Sequence, residues 1–141
     1  MAATTPNARR PPVVGESRDL TFPALTRTMF VKYAGASGDF NPMHHDDTIA
    51  IQVGNPSVFG HGMLTMGLAG RVLTDWFGPE AIRRYQVRFA KPVWPGDVLT
   101  AKATVTALRD EGGVGLADLE IEVTSDKGVQ AVVGAATCAL G

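Results

Sequence analysis

The sequence predicts an α+β fold in which a curved antiparallel sheet wraps one long apolar helix. Three observations predict it. Residues 60–78, GHGMLTMGLAGRVLTDWFG, carry apolar side chains around almost the whole helical circumference, the pattern of a buried helix. From Ile82 onward the periodicity changes to two, broken by the turn signals WPGD (94–97), DEGG (110–113) and SDKG (125–128), which predicts an antiparallel meander. A chain of 141 residues, 45% of them apolar, suffices for one domain with one core.

The elements follow in order. The N-terminus, MAATTPNARRPPVVGES, has basic residues with no apolar run behind them, so it is not a secretory signal. Residues 1–17 read as a flexible leader and 18–141 as a single domain. RDLTFPA (18–24) reads as a short strand. Thr26 reads as the N-cap of a helix over 27–36, which places Phe30, Val31, Tyr33 and Ala34 near one face and is ended by Gly35 and Gly38. Asn41-Pro42 is a second helix start, because Asn caps and Pro needs no N–H at the first position. A short turn through Met43 and His44 follows. Asp46 then caps a small helix over 47–52, ended by Gly54 and Pro56. In the long helix Gly67, Ala69 and Gly70 permit close backbone approach, and Gly78-Pro79 stops it. Strands are expected over 83–90, 98–109, 114–124 and 129–140. A sheet wrapped around one helix is the hot-dog architecture. Its open edge predicts a dimer that continues the sheet.

Composition excludes several classes. The net charge is −1 and the Lys and Arg residues are dispersed, which argues against a nucleic-acid partner. No apolar run approaches the ~20 residues that span a bilayer, so no membrane partner is expected. The single cysteine, Cys138, cannot form an intrachain disulfide; its TCAL setting reads as a buried, inert thiol. The cytoplasm is the default location.

The chemistry concentrates in GDFNPMHH (38–45), which holds Asp39, Asn41, Pro42, His44 and His45; the third histidine, His61, follows in FGHGM. Read from the residues alone, Asp39 and Asn41 are capping groups and His44 a satisfied histidine as readily as an acid and base. A metal site drawing on Asp39, His44, His45, Asp46 and His61 is the sharper rival. No HxxxH or HExxH spacing supports it, and no metal or cofactor is expected.

Three motifs settle the alternatives: YAGASGDFNPMHHD (33–46), FGHGMLTMG (59–67) and YQVRFAKPVWPGD (85–97). With them, the chain from about 18 to 139 resembles the MaoC-like (R)-specific enoyl thioester hydratases and (3R)-hydroxyacyl thioester dehydratases. Within that family it looks most like the catalytic subunits of mycobacterial carrier-protein dehydratases. The resemblance implies that Asp39 and His44 are the catalytic pair, that Asn41 helps position their loop, and that Gly62 offers its backbone N–H to the thioester carbonyl. It implies no role for His45. Gly60 departs from the commoner apolar residue before HGM, which bears on pocket shape.

The implied reaction is reversible syn hydration of a trans-2-enoyl thioester, on coenzyme A or an acyl carrier protein. Two titratable groups around one water can remove a proton at oxygen and supply one at C2. Gly62, at the start of the apolar helix, offers an unpaired N–H and the positive end of the helix dipole to the enolate-like oxygen. His61 reads as a substrate-side or supporting group beside Gly62. Arg83, Arg84 and Arg88 read as a solvated strand face, or as a contact for phosphates or an acidic carrier protein. Met63 and Met66 read as core. A homodimer is expected, or a heterodimer with a paralogous hot-dog subunit. The competing functions are a non-catalytic or partner-dependent subunit and an acyl-CoA thioesterase.

Overall fold

The computed structural model describes residues 10–141. Five strands form one antiparallel sheet in the order β1-β3-β4-β5-β2: β1 Ser17–Thr21, β2 Ile82–Phe89, β3 Leu99–Glu111, β4 Val114–Ser125 and β5 Gln130–Ala139. Three α-helices precede β2: α1 Arg27–Ser37, α2 Asp47–Gln52 and α3 Gly62–Phe77. Helix α3 lies against all five strands, so the wrapped-helix expectation holds.

The strand pattern explains the wrap. In β3 the buried positions alternate as Leu99, Ala101, Ala103 and Val105, and in β4 as Leu119, Ile121 and Val123. Several core-facing side chains are small, among them Ala101, Ala103, Ala131 and Ala136, and the helix answers with the fully buried Ala69. Small against small lets the sheet close on the helix. Larger side chains such as Phe30, Leu73 and Leu99 fill the remaining core, and each buried one stabilises the fold by about 1.5–3 kcal/mol.

Two expectations need correction. The strands from Ile82 are not one meander: β3, β4 and β5 are, but β2 pairs with β5 at the far edge. The connection 90–98 contains Pro92 and Pro95 and bonds elsewhere, with Gly60 N donating to Val93 O, Gly96 N to Leu25 O, and Leu25 N to Asp97 O. It crosses the fold instead of turning a hairpin. Helix α3 is also not buried all round. Met63, Gly67, Arg71 and Asp75 form an exposed stripe at intervals of four, on the side the sheet does not reach. Of its glycines, Gly70 faces the Tyr85 ring closely, whereas Gly67 faces open space. The Tyr85 hydroxyl donates to Met66 O at 2.6 Å, and burial pushes its phenol up to about 12.

The leader expected over 1–17 falls partly outside the described residues. Within them the chain is tied to the sheet: Gly15 N donates to Val105 O, and Val105 N to Glu16 O, continuing the β1–β3 ladder. No helix among the described residues is long and apolar enough to cross a membrane.

Candidate active site

The GDFNPMHH segment is built by caps. Thr26 caps α1 through the Met29 N–H, and Gly38 ends the helix in the left-handed region, at φ 78°, returning its N–H to Ala34 O. Asn41 Oδ1 accepts from Met43 N at 3.0 Å and starts the 3-10 turn Pro42–His44. Asp46 caps α2 through the N–H groups of Thr48 and Ile49. Asp47 does more than start that helix. Its carboxylate accepts from Val58 N and pairs with Arg27, so it ties α2 to α1 and to the approach of the FGHGM segment; the Val58 N–H and the Arg27 guanidinium hold it below the usual carboxylate range.

This frame brings Asp39 and His44 together. Asp39 Oδ2 lies 3.8 Å from His44 Nε2, too far for a direct hydrogen bond. A water about 2.8 Å from each atom would sit to one side at an angle of about 85°. The carboxylate is half-exposed, while the His44 side chain is only 10% exposed. Asp39 Oδ1 accepts from Asn41 N. His44 Nδ1 lies 2.7 Å from Phe59 O, and a carbonyl only accepts, so Nδ1 carries the proton. The other ring nitrogen, Nε2, is the one that faces Asp39.

His61 sits beneath this pair. It is 1% exposed, its ring stacks on His44 at 3.9 Å between centroids, and its Nε2 donates to Asp39 O at 3.1 Å. Burial pushes its pKa below the ordinary histidine value, against the opposing bond to the Asp39 carbonyl. The next residue, Gly62, begins α3. Leu64 and Thr65 N–H groups turn back to His61 O, leaving the Gly62 and Met63 amides unbonded among the described residues. Beside Gly62 is a mostly apolar groove of about 310 Å³, lined by Phe59, Thr65, Phe89 and Val132. A larger cavity of about 770 Å³ lies on the sheet among Arg88, Lys102, Glu120 and Glu122, and Asp39, His44, His61 and Gly62 do not line it.

Residues 9–127 match the family described as MaoC like domain. The chain belongs to the MaoC-like family. Its relatives include the "(R)-specific enoyl-CoA hydratase" of Aeromonas caviae, 34% identical over 110 residues, covering 77% of this chain and 81% of that one. They also include "3-hydroxyacyl-thioester dehydratase X" of Mycobacterium tuberculosis, 37% identical over 89 residues, covering 63% of this chain and 30% of the other. Among solved structures, the ChsH1-ChsH2 complex of Mycobacterium tuberculosis aligns with a TM-score of 0.80 and 28% identity, covering 92% of this chain and 98% of that one. Across the first four curated relatives, the match spans between 7% and 65% of their length.

Set in this MaoC-like domain, the expected site residues divide. Asp39 and His44 meet, with Gly62 opening the helix next to His61. Asn41, expected to start a helix and to help position the catalytic loop, caps the 3-10 turn with its oxygen. His61, expected as a substrate-side or supporting group, is covered and faces Asp39 and His44 instead of the groove. His45 turns away, its Nε2 donating to Phe40 O. Asp39, His44 and His61 do bring a carboxylate oxygen and two ring nitrogens within 4.8 Å of one another. Their arrangement does not fit a metal: the two imidazoles are stacked at 29°, so their in-plane lone pairs run side by side, and His61 Nε2 is already a donor.

Three contributors were not singled out as site residues in the sequence. Phe59 holds His44 with its carbonyl and packs edge-on against its ring at 5.0 Å. Tyr33 packs edge-on against His61 at 4.8 Å. Phe89 lies so close to Gly62 that a Cβ there would be 3.1 Å from its ring. All three stand inside the quoted motifs, which was the available signal. Gly60 also finds its reason, since a Cβ would meet Val93 Cγ2 at 2.7 Å and Phe30 at 3.1 Å.

Proposed function

We propose that this MaoC-like protein is a hydro-lyase that reversibly hydrates trans-2-enoyl thioesters to (3R)-hydroxyacyl thioesters. The observation that carries this reading is the approach of Asp39 Oδ2 to His44 Nε2 at 3.8 Å, with His44 Nδ1 donating to Phe59 O on the other side of the ring. A water donating one hydrogen to each is left with its lone pairs facing outward. Attack forms the O–C3 bond while one of the pair takes the water's proton. The alkene electrons move onto the thioester oxygen, where the Gly62 N–H and the helix dipole stabilise them. The enolate collapses as a proton passes to C2 from the group that took it, so one water supplies both added groups on one face. The Asp39 carboxylate and the Nε2 of an Nδ1–H His44 are both acceptors, so either one takes the proton while the other holds the water's remaining hydrogen.

Crotonyl-CoA and longer enoyl-CoAs test this through the loss of enoyl absorbance. Asp39→Asn and His44→Ala should each lower kcat by about 10²–10⁴ with circular dichroism unchanged. No turnover of any enoyl thioester by the wild-type chain, alone or with a partner, would sink the proposal. A screen of acyl lengths, with CoA and carrier-protein thioesters and one bulky steroid-like acyl group, identifies the substrate.

A second reading is that activity requires another hot-dog subunit. Phe40, Met63 and Phe89 are exposed apolar side chains near the site, at 63%, 57% and 49%, and a structural neighbour is a two-component complex. Mass measurement of the purified chain separates a self-sufficient dimer from a monomer that awaits a partner.

A further inference from the structure

We infer that His61 is a positioning residue of this site: its Nε2–H anchors the main chain of Asp39 while its ring face braces His44. The inference rests on the hydratase reading for its kinetic consequence but on geometry for the anchor itself.

The geometry is that of a support. His61 is 1% exposed and does not line the groove. One edge donates to Asp39 O at 3.1 Å, and one face stacks on His44 at 3.9 Å. Tyr33 and Phe30 meet the ring edge-on at 4.8 and 6.4 Å. The two members of the water-holding pair are thus held by a single imidazole across a gap that depends on both. The loop needs such an anchor. Asp39 is exposed and follows a glycine in a left-handed conformation; among the described residues its carboxylate accepts one hydrogen bond, from the Asn41 N–H, and its own N–H reaches Ser37 Oγ at 3.2 Å.

The remaining nitrogen is the telling detail. His61 Nδ1 is buried and has no hydrogen-bond partner among the described residues. A buried nitrogen left bare is a net penalty relative to a satisfied group. An apolar ring would pack against Phe30 and Tyr33 without that penalty, but it could not reach Asp39 O with an N–H. Local stability at this position is given up where a functional contact is gained, as expected of functional sites. The bare nitrogen also defines the state of the ring. With Nε2 donating to Asp39 O and no acceptor for a proton on Nδ1 among the described residues, the geometry favours the neutral Nε2–H tautomer. The titratable groups that face it are Tyr33 from α1, and Asp39, His44 and His45 from the loop. A second positive charge stacked on His44 would oppose any cation formed there during turnover.

Two measurements test this. Ring ¹⁵N shifts of the wild-type protein should show His61 as the neutral Nε2–H tautomer at neutral pH; an Nδ1–H or doubly protonated ring overturns the inference without reference to activity. The kinetic arm compares His61→Gln, whose amide nitrogen reaches the Nε2 position, with His61→Phe, which keeps a ring but has no donor. His61→Phe should remain folded with KM within about twofold and kcat down by roughly 10²-fold, as for a misplacement of ~1 Å. His61→Gln should recover at least about a tenth of wild-type kcat. Equal kcat in wild type and folded His61→Phe overturns the positioning role. If His61→Phe does not fold, a His61→Gln kcat as low as that of Asp39→Asn overturns it. Should the wild-type chain turn over no enoyl thioester, the hydratase reading fails, and the ¹⁵N result with faster amide exchange at Asn41 in His61→Phe still decides the anchor.

Discussion

Gly60→Ala is the sharpest test of how the core holds the site. The backbone of Gly60 lies outside the left-handed region, so alanine meets no conformational strain. Space is the difficulty. The new Cβ would stand 2.7 Å from Val93 Cγ2 and 3.1 Å from the Phe30 ring, where carbon contacts prefer about 3.5–4.0 Å. Val93 is 5% exposed and stiff at χ1, and Phe30 is fully buried, so neither yields freely. Overpacking of this kind costs about 1–3 kcal/mol. The reduced freedom of the unfolded chain offsets about 0.4–1 kcal/mol. The net expectation is a loss of up to about 2.6 kcal/mol, or a Tm lower by up to about 10 °C. The strain reaches the chemistry because Gly60 stands between Phe59, whose carbonyl holds His44, and His61. A shift of ~1 Å there lowers kcat by up to about 10²-fold. Urea denaturation followed by circular dichroism gives the stability, and crotonyl-CoA turnover gives the activity. Adding Val93→Ala removes the nearest atom, so the double variant should be more stable than the sum of the two single losses by about 1 kcal/mol. A Gly60→Ala protein more stable than wild type, or strict additivity with Val93→Ala, refutes the reasoning.

Three other perturbations probe neighbouring features. Burial holds the His61 pKa below its unfolded value of 6.5, so the unfolded chain binds that proton more readily. The resulting stability is complete above pH 6.5 and is lost as the pH falls from there toward the folded value. Urea midpoints should therefore drop between pH ~7.5 and ~5.5 in wild type and drop less in His61→Phe; equal drops contradict the assignment. Gly62→Val should abolish turnover by filling the space against Phe89, while the half-exposed Phe89 ring moves aside and limits the change in Tm to a few degrees. Asp97 is 3% exposed, accepts from Trp94 N at 2.9 Å and pairs with Lys127 at 2.6 Å. Asp97→Ala leaves the Trp94 N–H unpaired and should cost about 1–3 kcal/mol in urea denaturation.

The fold was legible where one residue's type decides one local feature. Thr26, Asn41 and Asp46 cap the turns they were expected to cap, and the helix over 47–52 begins and ends at the expected residues. Strand pairing was not legible in the same way. Period two places Ile82–Phe89 on a sheet but does not name the neighbour, and a long connection through Pro92 and Pro95 carries it past β3 to β5. The exposed stripe of α3 was hidden for a related reason. A helix with apolar residues on every side signals burial, yet how far five strands wrap depends on their curvature.

The site shows the same division more sharply. Asp39, His44 and Gly62 announce themselves by type and motif, whereas the contacts that orient them are made to main chain. His44 is held by the carbonyl of Phe59, Asp39 by the amide of Asn41, the 3-10 turn by the amide of Met43, and the Asp39 backbone by His61. A carbonyl holds a histidine whatever side chain its residue carries, so no residue type marks it. The consequence is testable at Phe59. Its carbonyl should tolerate any side chain that leaves the backbone in place, while its ring packs against both His44 and Trp94. Phe59→Leu should therefore keep the His44 Nδ1–H tautomer and most of kcat, and raise KM by widening the groove it lines. Loss of that tautomer in a folded Phe59→Leu protein would mean that the ring, and not the carbonyl, sets His44.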